Sequence, residues 1–231
     1  MTKPKSENIK IATETGEVSG ILDSPVRIVA GLTLAHGAGA GMHHKFMTDL
    51  AVSLACRGFA VLRFQFPYME TGRKRTDPPS IAIRTVEAAV DTLRKRIPEV
   101  PVLAAGKSFG ARMTTTAAAA GLLAGIEGII CYGFPLHPPG RPGVERAKHL
   151  AQVPVPMLFL QGTRDELTDL KLMREVCSKL PRAKLKIIEG ADHGFGVLKR
   201  SGRTSEDVMN ELVDESMRFA TGRPFSVEKN T

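Results

Sequence analysis

Cys56, Cys131 and Cys177 are the only cysteines in the chain, too few and too scattered for a disulfide framework or a cysteine-rich metal site. They fall in stretches of helical or strand character, which suits reduced, partly buried thiols. No uninterrupted apolar run approaches the roughly 18 residues of a membrane-spanning helix, so no membrane segment is expected. The first ten residues are polar, with no apolar stretch followed by a small-residue cleavage site, and a cytoplasmic protein is the expectation. No internal repeat is visible. Lys and Arg outnumber Asp and Glu by 32 to 24, for a net charge of +8. These basic residues lack the aromatic interleaving of a single-strand nucleic-acid surface, so no nucleic-acid partner is expected and the charge reads as solvated surface. One local cluster, Arg73, Lys74 and Arg75, follows a predicted strand and is assigned to the rim of the candidate site.

The 231 residues are 42% hydrophobic and 24% charged, an ordinary balance for one globular domain spanning 1–231, with a polar tail from about 223 to 231. Short β-branched or apolar runs alternate with longer helical patterns, as in a mostly parallel sheet covered on both faces. Ile9 to Thr13 and Val18 to Leu22 flank Gly16 as an antiparallel pair. Gly31 to Ala35, Ala60 to Phe66, Val102 to Ala105, Gly128 to Tyr132, Met157 to Gln161 and Lys184 to Ile188 read as buried parallel strands, making about eight strands. Helical spacing covers Phe46 to Cys56, Ile81 to Ile97, a segment from near Ser108, Leu167 to Leu180, and Ser205 to Phe219. Pro135 to Gly143 carries four prolines and two glycines. It reads as an excursion outside the core, short enough that any cap over the site is minimal.

The strongest chemical signal is Gly106-Lys107-Ser108-Phe109-Gly110, set between the apolar strand Val102 to Ala105 and the helix-forming run Ala111 to Ala120. Glycines on both sides of the serine permit a sharp turn that lifts its hydroxyl above the sheet at a helix amino end, where the dipole favours developing negative charge. A serine hydroxyl is a weak nucleophile and needs a base, itself held by a carboxylate. Asp165 and His193 follow in the order serine, acid, histidine, each in a loop just after a predicted strand, where open parallel sheets place their ligand crevice. Glu166 and Asp169 lie near enough to compete for the acid's role. His36 to Gly41, HGAGAG, follows another strand and supplies a small-residue loop. An amide of Ala38 or Gly39, with that of Phe109, is placed to hold an oxyanion.

A phosphate cradle at Gly37 to Gly41 lacks both the GxxxxGK[ST] spacing and a full GxGxxG, so no nucleotide is expected. His43 and His44 are adjacent, and neighbouring residues on a helix point in different directions, which argues against joint metal ligation; no metal and no cofactor are expected. His36 is assigned to ordering its own loop or to contacting substrate, and His137 and His149 lie in or after the excursion as further contact candidates. Arg112, in the first helical turn, opposes the dipole. It either pairs with an acid elsewhere in the fold or, with Arg73 to Arg75, binds an anionic substrate. Lys107 is left without a role.

LAHGAGAGM, RFQFPYM, GKSFGAR, GTRDEL and GADHGF together resemble the α/β-hydrolase superfamily, near its dienelactone-hydrolase-like branch, over nearly the whole chain. More narrowly, the chain resembles the small predicted hydrolases of the testis-expressed protein 30 type, in which GKSMGGR stands at Gly106 to Arg112; Phe109 and Ala111 depart from that pattern. The resemblance implies an α/β-hydrolase fold and a serine hydrolase acting on a small-molecule carboxylic ester. Because the branch's name-giving enzymes use a cysteine nucleophile, Ser108 argues against lactone specificity. The alternatives are a serine peptidase or thioesterase with the same three residues, and a non-catalytic interaction protein on the same scaffold. The sequence carries no sign of oligomeric state.

Overall fold

The computed structural model describes residues 3–222, so the polar tail at 223–231 lies outside the described residues. Eight strands form one sheet in the order β1-β2-β4-β3-β5-β6-β7-β8. Strands β1 (Lys5–Thr13) and β2 (Gly16–Ser24) are an antiparallel hairpin, and β2 joins β4 (Phe59–Phe64) antiparallel. From β4 onward the pairing is parallel, through β3 (Ala30–Ala35), β5 (Val102–Lys107), β6 (Ile129–Tyr132), β7 (Met157–Arg164) and β8 (Ala183–Asp192).

The period-two alternation of apolar side chains feeds two cores. Leu103 and Ala105, Ile130 and Tyr132, and Leu158 and Leu160 face α1 (Lys45–Cys56) and α6 (Ser205–Ala220). Val102 and Ala104, Ile129 and Cys131, and Met157 and Phe159 face α3 (Pro79–Arg96), α4 (Phe109–Ala119) and α5 (Leu170–Ser178). Both faces being covered, the central strands read as continuous apolar runs. All three cysteines are free thiols, Cys131 and Cys177 buried and Cys56 partly so. Among the described residues no helix is long and apolar enough to cross a membrane.

Four expectations are adjusted. The fourth strand stops at Phe64, because Phe66 becomes the N-cap of α2 (Pro67–Glu70), whose proline fits the first helical turn. The helix expected from Leu167 starts at Leu170, where the Asp169 carboxylate caps it by accepting from the Leu172 amide at 3.0 Å. Strand β8 is an edge and only half-buried along its length. The proline-rich excursion begins inside the protein, with Pro135, Leu136 and His137 buried, and only Pro138 to Pro142 reach solvent. It continues as a 3-10 helix, Glu145–Gln152, packed on α4.

Strand order reverses direction at β3: the chain goes from β3 to β4 on one side, then returns to β5 on the other. That switch point opens a crevice beyond the carboxyl ends of β3 and β5, where the His36 loop and Ser108 lie.

Candidate active site

Ser108 has φ 52° and ψ −112°, a conformation seldom adopted by residues with a side chain. Two glycines permit it by letting backbone meet backbone. A Cβ on Gly106 would stand 2.3 Å from the Gly110 carbonyl carbon, and one on Gly110 would stand 2.3 Å from the Ala35 carbonyl oxygen. Helix α4 therefore presses directly onto β3 and β5, with the serine at its amino end.

Asp165 and His193 are brought together by the pairing of β7 with β8. The register runs to Arg164 opposite Asp192, past a bulge at Gly162/Arg164, so Asp165 and His193 each immediately follow a paired position. His193 Nε2 lies 2.8 Å from Ser108 Oγ, and His193 Nδ1 lies 2.8 Å from Asp165 Oδ2. Asp165 is buried, and its carboxylate also accepts from the Leu167 amide at 2.8 Å and from Gln161 Nε2 at 2.5 Å. A carboxylate accepts only, so His193 carries its proton on Nδ1 and turns the Nε2 lone pair to the serine hydroxyl. The competing acids are elsewhere: Glu166 is exposed and Asp169 caps α5.

Asp192 shapes the histidine loop, its Oδ1 accepting from the amides of Gly194 at 2.9 Å and Gly196 at 2.8 Å. Lys107, unassigned from sequence, is buried behind the serine and donates from Nζ to the His193 carbonyl at 2.6 Å. Burial pushes its ammonium down to about 8, against the pull of Asp165 and Asp192 in the other direction. Gly133, at φ +67°, leaves the room this needs. A Cβ there would come within 3.1 Å of Lys107 Nζ and 3.6 Å of both Asp165 Oδ2 and His193 Cε1.

His36 does not face the crevice. Its ring is fully buried, Nε2 accepts from the Phe66 amide at 3.0 Å, and Nδ1, which must then hold the proton, donates to the Gly37 carbonyl at 2.7 Å. Burial pushes its pKa down to about 4, so the ring is neutral at physiological pH. Both ring nitrogens are thus used within the protein, and His36 orders its loop. Tyr68, part of the RFQFPYM segment but given no role from sequence, completes the arrangement: its hydroxyl lies 2.9 Å from the Ala38 carbonyl and 3.3 Å from that of Gly37. In a trans peptide the N–H points opposite to the C=O, so the amides of Ala38 and Gly39 turn away from Tyr68. Neither donates to another part of the described chain. Phe109 buries its ring edge-on to Phe66 and Tyr68.

Most of the remaining candidates have other partners. Arg73 donates to Asp77, whose other oxygen accepts from the Tyr68 amide, so that cation is held on its own loop. His137 is buried, with Nε2 accepting from the Asp169 amide and Nδ1 against the Pro138 carbonyl. His44 caps α1, and His43 is exposed. Arg112 forms no ion pair among the described residues. A cavity of about 240 Å³ opens over the site, lined by residues that include Ala38, Phe46, Met47, Ser108 and His193.

The family model described as "Alpha/beta hydrolase domain" matches residues 29–221. Among solved structures, an alpha-beta serine hydrolase homologue from Coxiella burnetii is 22% identical, with a TM-score of 0.73 over 90% of this chain and 96% of that one. A serine hydrolase without lid from Xanthomonas campestris is 24% identical, with a TM-score of 0.74 over 97% and 99%. A Pyrococcus furiosus esterase is 19% identical, with a TM-score of 0.76 over 95% and 91%. At these identities the structures establish a shared fold, and the family model spans all of the sheet from β3 onward: the chain belongs to the α/β-hydrolase family.

Proposed function

We propose that this protein is a serine hydrolase that cleaves a small carboxylic ester, with Ser108 as nucleophile, His193 as general base and Asp165 orienting it. The observation that carries the reading is the unbroken line from Ser108 Oγ through the His193 ring to Asp165 Oδ2, two contacts of 2.8 Å each, on a strained strand-to-helix turn. His193 Nε2 takes the hydroxyl proton as Ser108 Oγ bonds to the ester carbonyl carbon. The amide of Phe109, with that of Ala38 or Gly39, stabilises the oxyanion. The tetrahedral intermediate expels the alcohol, which leaves with the proton from His193. Water, deprotonated by His193, then attacks the acyl-enzyme and releases the acid and free Ser108.

Labelling with a fluorophosphonate probe tests the activated serine. The expected result is one adduct on Ser108 in the wild type and none on Ser108→Ala. A folded wild type that takes no label would overturn the proposal in favour of a non-catalytic scaffold.

Tyr68 is a positioning residue in this reading, since its hydroxyl holds the peptide planes of both loop donors. A buried hydrogen bond contributes roughly 1 kcal/mol, so Tyr68→Phe is expected to lower kcat about 5- to 10-fold with KM nearly constant. The check is steady-state kinetics on a p-nitrophenyl ester. An unchanged kcat, or a change confined to KM, would show that the hydroxyl does not act through the oxyanion loop.

A further inference from the structure

Arg112 stands one helical turn beyond Ser108, its amide donating to the Ser108 carbonyl at 3.1 Å, and α4 packs on the 3-10 helix Glu145–Gln152. The next turn of α4 meets that helix through His149, whose Nε2 lies 2.8 Å from Thr115 Oγ1 and 3.4 Å from Thr116 Oγ1. Side chains three apart eclipse on a 3-10 helix, so Arg146 lies on the same side as His149. Its Nη1 donates to the Pro135 carbonyl at 3.5 Å. Pro135 is only two residues past Gly133, where an added Cβ would sit 3.6 Å from His193 Cε1. Arg112 thus starts one turn from Ser108, and Arg146 is held against the segment that leaves β6 at the carboxyl end of the sheet.

Neither has a counter-ion. No carboxylate among the described residues pairs with Arg112 or Arg146, and Glu145, next to Arg146 in sequence, is exposed and pairs with Lys148 at 2.5 Å. Both side chains are half-buried. Burial, then the nearby Arg146 charge, holds the Arg112 guanidinium below its usual range. His149 is pushed down to about 4 by burial and by Arg112, so its ring adds no charge. Two cations brought together away from bulk water repel each other, and an anion between them relieves that cost. Arginine's planar fork fits carboxylate and phosphate oxygens.

We infer that Arg112 and Arg146 form an anion subsite beside Ser108, and that the ester cleaved there carries a carboxylate or phosphate group. The substrate-class part rests on the serine hydrolase reading above. Of the basic cluster Arg73, Lys74 and Arg75 offered by the sequence, Arg73 is paired with Asp77, and the subsite draws instead on Arg146, 34 positions from Arg112 along the chain.

The test has a binding arm and a turnover arm. Titration calorimetry of glutarate and of inorganic phosphate into Ser108→Ala protein at low salt is expected to show one site. Arg112→Gln and Arg146→Gln, each placed in that background, are expected to weaken it about 10-fold or more, while Arg112→Lys retains part of the affinity. In the turnover arm, p-nitrophenyl esters of matched chain length end in a methyl, a carboxylate or a phosphate group. The wild type is expected to favour at least one anionic ester about 10-fold or more in kcat/KM, and each Gln variant to bring that ratio toward one through KM. The carboxylate and phosphate arms distinguish the two chemistries. Absence of anion binding, binding that survives both Gln substitutions, or ester turnover without anionic preference would overturn the subsite. Anion binding without turnover of any ester would overturn the hydrolase reading and leave the subsite standing.

Discussion

A Ser108→Ala variant is expected to lose ester turnover by about 10⁴- to 10⁶-fold in kcat while folding as the wild type does, and His193→Ala is expected to match it. Without Ser108 Oγ there is no atom to carry the acyl group, and without His193 the hydroxyl keeps its proton at neutral pH. Because the two act as a unit, the double variant is expected to be little worse than either single one. Asp165→Asn keeps the shape of the carboxylate but can place an amide donor against His193 Nδ1, favouring the wrong tautomer. Its expected loss is on the order of 10⁴-fold. Steady-state kinetics corrected by circular dichroism for folded fraction decides the matter. A His193→Ala protein retaining a tenth of wild-type kcat would rule out His193 as the base.

Gly110→Ala is expected to be the most damaging small substitution for the fold. The added methyl would lie 2.3 Å from the Ala35 carbonyl oxygen and 2.7 Å from the His36 carbonyl oxygen. Both are backbone atoms of β3 and its loop, which have no rotamer to change. Helix α4 would have to lift off the sheet, opening the core around Ala111 and Met113 and displacing Ser108 from His193. Because the backbone must absorb the clash, the cost is expected at the exceptional end for overpacking, about 4 kcal/mol, or roughly 8–16 °C of Tm for a domain of this size. Gly143→Ala, with no atom within 4 Å of the added Cβ, is the control expected to leave Tm unchanged. Equal melting temperatures for the two variants would show that α4 does not approach β3 this closely.

The alternation of short apolar runs with helical spacing marked all eight strands and five of the six α-helices to within a few residues, because burial on both faces writes itself into local composition. Only α2 went unforeseen; four residues long, it is too short to show a period. The nucleophile turn was equally legible, since Gly106 and Gly110 are local answers to a local steric demand. The order of Ser108, Asp165 and His193 pointed to one crevice through the rule that loops at strand carboxyl ends converge. The sequence favours Asp165 over its neighbours Glu166 and Asp169, and the register of β7 against β8 is what carries Asp165 to His193. The two readings of His36, loop ordering and substrate contact, stay together in sequence for a physical reason: a histidine beside a glycine loop looks the same whether its ring faces the crevice or the core.

The sequence by itself determined the fold class, the serine turn and the loop that faces it, because each rests on periodicity or on steric needs within a few residues. Tertiary structure decided which side chains support them. Lys107 reaches the His193 carbonyl 86 positions away, Tyr68 reaches Ala38 across 30, and the 3-10 helix that carries Arg146 packs on the helix that carries Arg112, with no ion pair to either arginine among the described residues. Such contacts depend on which loops the sheet order brings side by side and on which way a single side chain turns when it is buried, and neither leaves a period or a motif in the chain.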